Sequence, residues 1–286
     1  MHLLICPTLM SKIPAQVESA LSEDVGGEDL TAHLIDALTP ATAHIISRET
    51  AVICGIAWVN EAFKQVDSRS RIDWLVAEGE VVAPNQTLCH ITGFARSLLT
   101  AERVALNFLQ TLSATATATK TYVDAIAGTK SRILDTRKTI PSMRLAQKYA
   151  VTVGGGFNQR IGLYDGILIK ENHIAAAGSI TAALTSAFNI QTKQPSITVQ
   201  IEVENLNQLT EALNAGANSV LLDNFHADLL VEAVKLNNKR AILEASGGIT
   251  LENVREIAKT GVDRISIGSI TKHIQAIDLS MRFTAH

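Results

Sequence analysis

Four cations in two short stretches pose the first chemical question: Arg137 and Lys138 in DTRKT, then Arg160 and Lys170 in NQRIGLYDGILIK. Arginine presents a planar fork that matches a carboxylate, and lysine a compact charge that suits phosphate or a second carboxylate oxygen. Converging on one mouth, they need an anion. A second constellation is acidic. Glu202 and Glu204 lie two apart on a strand and so share a face, and Asp223 on the next strand falls beside them. Carboxylates grouped among such cations suit a hydrated magnesium ion or the hydroxyls of a ribose. Third, SGGIT at 246–250 and SIGSIT at 266–271 place glycine and serine between a strand and a helix, where free N–H groups can cradle phosphate. Each has a plainer reading: rim pairs of Arg137 with Asp135 and Lys170 with Glu171, a simple acid–lysine network, and tight turns at glycine.

These residues need elements to aim them. From Gly128 onward, short β-branched runs (SRIL, GILI, ITVQIEV, SVLL, AIL, RISI) alternate with helical stretches (PSMRLAQKYAVTV, SITAALTSAFNI, NLNQLTEALNAG, HADLLVEAVKLNN, TLENVREIAKTG). That alternation predicts parallel strands with right-handed crossovers, as a barrel or a doubly wound sheet. Polar residues follow every strand: Asp135 to Lys138, Lys170 to His173, Glu204, Asp223 with Asn224, Glu244 with Ser246 to Gly248, and Gly268 with Ser269. Active sites of parallel barrels lie on that carboxyl face. His173 reads equally as a structural histidine. The preceding half is mixed. IPAQVESALSEDV and IAWVNEAFKQV are helix-like, TAHIISRETAVICG is strand-like, and RIDWLVAEGEVVAPNQTLCHITG has the punctuation of hairpins. A helical connector, closed by Gly128, joins the halves and carries Arg103 on a face whose default is solvent.

Composition sets outer bounds. A net charge of -3 and a pI near 6.2 supply no basic field for nucleic acid or an anionic membrane, so any anion site is local. Cys6, Cys54 and Cys89 are odd in number and widely spaced, which fits a reducing cytoplasm and no zinc site. The opening MHLLICPTLM is too short for a secretion signal or a span. A soluble, cytoplasmic protein is expected.

Taken together, EDVGGEDLTA, AERVALNFLQ, ILDTRKTIP with RLAQKYAV, GGGFNQRIGLYDGILIKENH, IEVEN, LLDNF, EASGGI, GVDRISIGSIT and AIDLSMRF resemble the quinolinate phosphoribosyltransferase family over nearly the whole chain. The resemblance implies an N-terminal α/β sandwich at 1–112, with the chain's end at 275–286 returning to it. It also implies an open, seven-stranded parallel α/β barrel at 113–274, one strand more than the six read above. It implies phosphoribosyl transfer from phosphoribosyl diphosphate to quinolinate, with decarboxylation to nicotinate mononucleotide, in NAD biosynthesis. It further implies a homodimer with a shared site. Arg103 from the neighbour, with Arg137, Arg160 and Lys170, would then grip quinolinate, and Thr136 would also bind substrate. Lys138 would face the diphosphate, and Glu202 and Asp223 would hold ribose hydroxyls and magnesium. The resemblance makes Lys138, Lys170, Glu202 and Asp223 the expected catalytic set. Ser246, Gly247 and Gly248, with Ile267, Gly268 and Ser269, would bind the 5-phosphate. One position departs: Gln159 stands where the family shows histidine near a quinolinate carboxylate, so weaker binding or a displaced pH optimum is expected. Two other readings stay open: a Schiff-base aldolase using Lys170, and a non-catalytic dimeric binding protein, hinted at only by Gln159.

Overall fold

The computed structural model describes residues 7–284, in two compact units. Of the described residues, one unit holds 7–120, Leu145–Gly155 and 273–284. Its helix Ile13–Val25 has proline in the first turn, where the missing N–H costs nothing, and ends at Gly26 with φ 58°. The helix Ile56–Val66 turns Trp58, Val59, Ala62 and Phe63 inward as one stripe. Strands β1 (Pro40–Ser47), β2 (Ala51–Val52), β3 (Arg71–Trp74), β4 (Val81–Val82) and β5 (Thr87–Phe94) bear out the strand and hairpin reading of this half. β1, β3 and β5 form an antiparallel sheet, and β2 pairs with β4 in a separate ladder. The connector is a helix over Ala95–Ala125. Gly154 lies against that helix. A Cβ there would overlap the Ala116 carbonyl oxygen, so Gly154→Ala is expected to cost about 2 kcal/mol of stability by forced overpacking, read as a lower urea midpoint.

The other unit holds Thr121–Arg144 and Gly156–Lys272. Its strands are β6 (Arg132–Leu134), β7 (Gly166–Ile169), β8 (Thr198–Val203), β9 (Ser219–Asp223), β10 (Ile242–Ser246) and β11 (Arg264–Ser266). They form one parallel sheet, ordered β6-β11-β10-β9-β8-β7, that does not close on itself. Apolar side chains at alternate positions, such as Ile201, Val203, Val220, Leu222, Leu243 and Ile265, are buried at 0–1% exposure on one face. The other face carries the polar set, as strand alternation requires. The six strands read from the sequence are all present. What would be a seventh is a single parallel bridge between Phe157 and Leu134, in which Phe157 N–H donates to the Ile133 carbonyl and Asp135 N–H to the Phe157 carbonyl. A strand β12 (Leu279–Phe283) adds to β1 at the edge of the first unit's sheet.

Three elements differ from the sequence reading. β10 runs on through Ser246, which puts Glu244 inside a strand rather than beyond one. A helix over Glu171–Ala177 follows β7 directly. The stretch TLENVREIAKTG is helical only over Val254–Lys259. There the Asn253 side chain accepts from Thr250 N–H and donates to the Gly248 carbonyl, so the preceding residues are held as a loop.

Candidate active site

The carboxyl ends of the barrel strands surround a cavity of about 640 Å³. Period-two alternation sends Leu168 and Lys170 into it from β7, Glu202 from β8, Leu221 and Asp223 from β9, Glu244 and Ser246 from β10, and Ser266 from β11. The loop after β6 adds Thr136, Arg137 and Lys138, the bridged segment adds Gln159 and Arg160, and the loop after β10 adds Gly247 and Gly248. The four cations, Glu202 with Asp223, and Ser246 to Gly248 with Ser266 are therefore brought to one place, whereas Glu204, Ile267, Gly268 and Ser269 are not part of its lining. Arg103 belongs to the other unit, exposed on the Ala95–Ala125 helix.

The cations are not spent on rim pairs. Asp135 is fully buried, and its carboxylate accepts from Asn158 Nδ2 at 2.6 Å and Gln159 N–H at 2.8 Å. Arg137 Nε is buried without a hydrogen-bond partner. Arg160 Nη1 donates to the Gly166 carbonyl at 2.8 Å. Burial, and then the positive charge of Arg137, lowers its guanidinium pKa. Two guanidiniums that each disfavour the other's charge make a place for an anion. Lys170 Nζ lies 3.2 Å from Glu202 Oε2, not on Glu171. Burial raises the Glu202 carboxyl above its ordinary value; Lys170 opposes the rise, and Asp223 and Glu171 add to it.

Below this layer lies a network that the sequence reading missed. Glu244, at 0% exposure, accepts from Gln159 Nε2 at 3.0 and 3.1 Å and from Gln200 Nε2 at 3.0 Å. Gln159 Nε2 also donates to Gln200 Oε1 at 2.7 Å, and Gln159 Oε1 accepts from Arg160 N–H at 2.8 Å. Gln159 thus ties the cationic segment to the barrel wall. Gln200 falls two residues before Glu202 on the same strand face, so the period of ITVQIEV was the available signal.

The glycine–serine loops divide. Gly247 and Gly248 have φ of 91° and 60°, and a Cβ on Gly247 would run into the Asn224 side chain. Gly247→Ala combines left-handed strain with that clash, and is expected to cost about 2–4 kcal/mol, seen as a lower melting temperature. In the other loop, Ile267 is buried and its N–H is already donated to the Leu134 carbonyl at 2.9 Å. Gly268 leaves room for Lys138, whose Cδ would stand 2.9 Å from an added Cβ. Ser266 and Ser269 each bury a hydroxyl oxygen without a partner. His173 is structural: its Nδ1 accepts the Lys170 N–H at 3.0 Å at the start of the Glu171–Ala177 helix. Glu204 is exposed beyond the end of β8.

A cationic cavity with paired acids and glycine–serine loops, at the carboxyl ends of parallel strands, defines an α/β-barrel enzyme acting on small anions. The chain belongs to the quinolinate phosphoribosyltransferase family. The family's N-terminal domain model matches residues 29–113 and its C-terminal domain model residues 115–282. A nicotinate-nucleotide pyrophosphorylase [carboxylating] of Mycobacterium leprae is 40% identical, over 93% of this chain and 95% of its own. A probable nicotinate-nucleotide pyrophosphorylase [carboxylating] of Bacillus subtilis is 38% identical, over 92% and 90%. The solved nicotinate-nucleotide pyrophosphorylase of Francisella tularensis superimposes with a TM-score of 0.92 at 45% identity, over 96% and 97% of the two chains. Among the described residues, no helix is long and apolar enough to cross a membrane.

Proposed function

We propose that the cavity transfers phosphoribose from phosphoribosyl diphosphate to quinolinate, with loss of carbon dioxide, to give nicotinate mononucleotide. The observation that carries this is the buried, partnerless Nε of Arg137 beside Arg160 in a cavity that also holds Lys138 and Lys170. A doubly acidic pyridine and a substrate with a phosphate and a diphosphate repel one another unless cations lie between them. Arg137, Arg160 and Lys170 take the two carboxylates, and Lys138 takes the diphosphate. Ser246, Gly247 and Gly248 take the 5-phosphate, with Gly268 and Ser269 at the neighbouring loop.

The bond from the anomeric carbon to the diphosphate oxygen breaks, and its electron pair leaves with the diphosphate, whose charge Lys138 offsets. The pyridine nitrogen forms the new bond to that carbon. The carboxylate beside the resulting pyridinium then departs as carbon dioxide; its bonding pair stays on the ring carbon, which takes a proton from water. Positioning and charge neutralisation do the work, with no covalent nucleophile. Lys170 is ion-paired with Glu202, a poor arrangement for an amine nucleophile in the aldolase reading.

Glu202 and Asp223 fit a magnesium ion that keeps most of its shell from water and substrate oxygens. Two carboxylates from adjacent strands are too few for an all-protein cage, and when bound the ion would offset the charge on the leaving diphosphate. The neighbouring subunit supplies Arg103. The test is purified protein with quinolinate, phosphoribosyl diphosphate and magnesium, following carbon dioxide release. Absence of release with both substrates bound would end this reading in favour of a binding protein.

The acid limb of kcat/KM follows from Glu202, which must be ionised to hold a cation or ribose. Its raised pKa places that limb above the range of an ordinary glutamate. Glu171→Gln removes one of the charges that raise it, so the limb is expected to move to lower pH. A pH–rate profile of the two proteins checks the direction.

A further inference from the structure

The barrel unit holds a second cavity, of about 470 Å³, at the amino-terminal end of its strands. Arg132 opens β6 and Arg264 opens β11, and the two are register partners on adjacent parallel strands. Their side chains therefore leave the same face from backbones about 5 Å apart. Two guanidiniums so placed repel unless an anion lies between them. Among the described residues, neither makes an ion pair. Arg132 lies over an aromatic face, its Cζ 4.9 Å from the Phe157 ring centroid.

The cavity wall carries three arginines, Arg132, Arg160 and Arg264, against one acid, Asp165, and so keeps a positive excess. Asp165 accepts Ile161 N–H and Gly162 N–H, each at 2.8 Å, with its two oxygens. Glu244, the register partner of Arg264 on β10, gives its carboxylate to Gln159 and Gln200. Tyr164 also lines the cavity and is 73% exposed, with its ring packed over Gly162, where a Cβ would overlap it. A solvent-facing ring on the same cavity as two arginines without ion pairs is a platform for a ligand that is anionic at one end and flat at the other.

We propose that this cavity binds a phosphate monoester, its oxygens accepting from Arg132 and Arg264 and its ring lying on Tyr164, as in a nucleoside monophosphate. Gln159 and Arg160 line both cavities, so a ligand here shares a wall with the catalytic mouth without using its contacts. The shared chemistry is the phosphate group, whose source is either a nucleotide or free phosphate.

The test is equilibrium dialysis of the full chain with adenosine monophosphate, inorganic phosphate or adenosine, with quinolinate and phosphoribosyl diphosphate as separate competitors. Saturable binding of the monophosphate is expected, retained when either substrate fills the mouth, and weakened about tenfold or more in Arg132→Met/Arg264→Met. Arg264→Gln alone serves if the double variant folds poorly, and basal turnover is expected to be unchanged in both. Tighter binding of the monophosphate than of phosphate, lost in Tyr164→Ala, assigns the nucleotide; equal binding of the two assigns free phosphate. Displacement by either substrate, an affinity indifferent to the arginine substitutions, or no saturable binding of either anion overturns the proposal.

Discussion

Arg137→Ala is expected to lower kcat/KM for quinolinate by about 100- to 1000-fold while leaving the melting temperature nearly unchanged. The fork of Arg137 enters the cavity with Nε buried and unpaired, so in the protein alone it is a desolvated donor without an acceptor. A carboxylate in the cavity gains a charge-assisted pair with the Arg137 guanidinium. Removing one partner of such a pair costs about 3–4 kcal/mol, and each 1.4 kcal/mol is a factor of ten. Stability does not follow, because the deleted group holds no other element in place; relief of the charge repulsion that Arg137 exerts on Arg160 works in the opposite direction. Arg137→Lys keeps the charge but loses the fork, and is expected to recover only part of the rate. Turnover of Arg137→Ala within threefold of the parent would mean that quinolinate is held elsewhere.

The same residues show what could be read in advance. Strands announced themselves through β-branched runs, and most of the polar residues after them meet, because parallel strands aim their ends at a common centre; His173 and Glu204 do not join them. Glu244 was harder. Read after AIL it stood outside the strand, whereas β10 continues to Ser246 and turns it inward. Its partners, Gln159 and Gln200, are 85 and 44 residues away, and only sheet register brings them together. The Phe157 bridge is one residue long, too short for any periodicity to reveal. The helix over Glu171–Ala177 buries none of its residues, so it lacked the apolar stripe by which helices are recognised. Gln159 illustrates a further limit. Its departure from the family's histidine is visible in the sequence, but its engagement with Glu244, Gln200 and the Arg160 backbone is visible only in three dimensions.

Arg103 leads to the second large effect. It is exposed on the Ala95–Ala125 helix between buried Ala101 and Val104, and Leu99, Arg103 and Asn107 recur at a spacing of four along one exposed stripe. A stripe with an uncovered leucine and an exposed arginine is suited to a subunit boundary. Under the proposed dimer, Arg103→Ala fails for the same reason as Arg137→Ala, about 100-fold or more in kcat/KM. Each protein is then nearly inactive alone. In a heterodimer of the two, one cavity combines an intact Arg137 with an intact Arg103, while the other lacks both. Two-fold symmetry makes this arithmetic independent of the rates. Heterodimers purified through two different tags are therefore expected to regain about half of the parent activity per dimer. A heterodimer no more active than its parents would show that the site is not shared between subunits, and an Arg103→Ala protein with full activity would remove Arg103 from the site altogether.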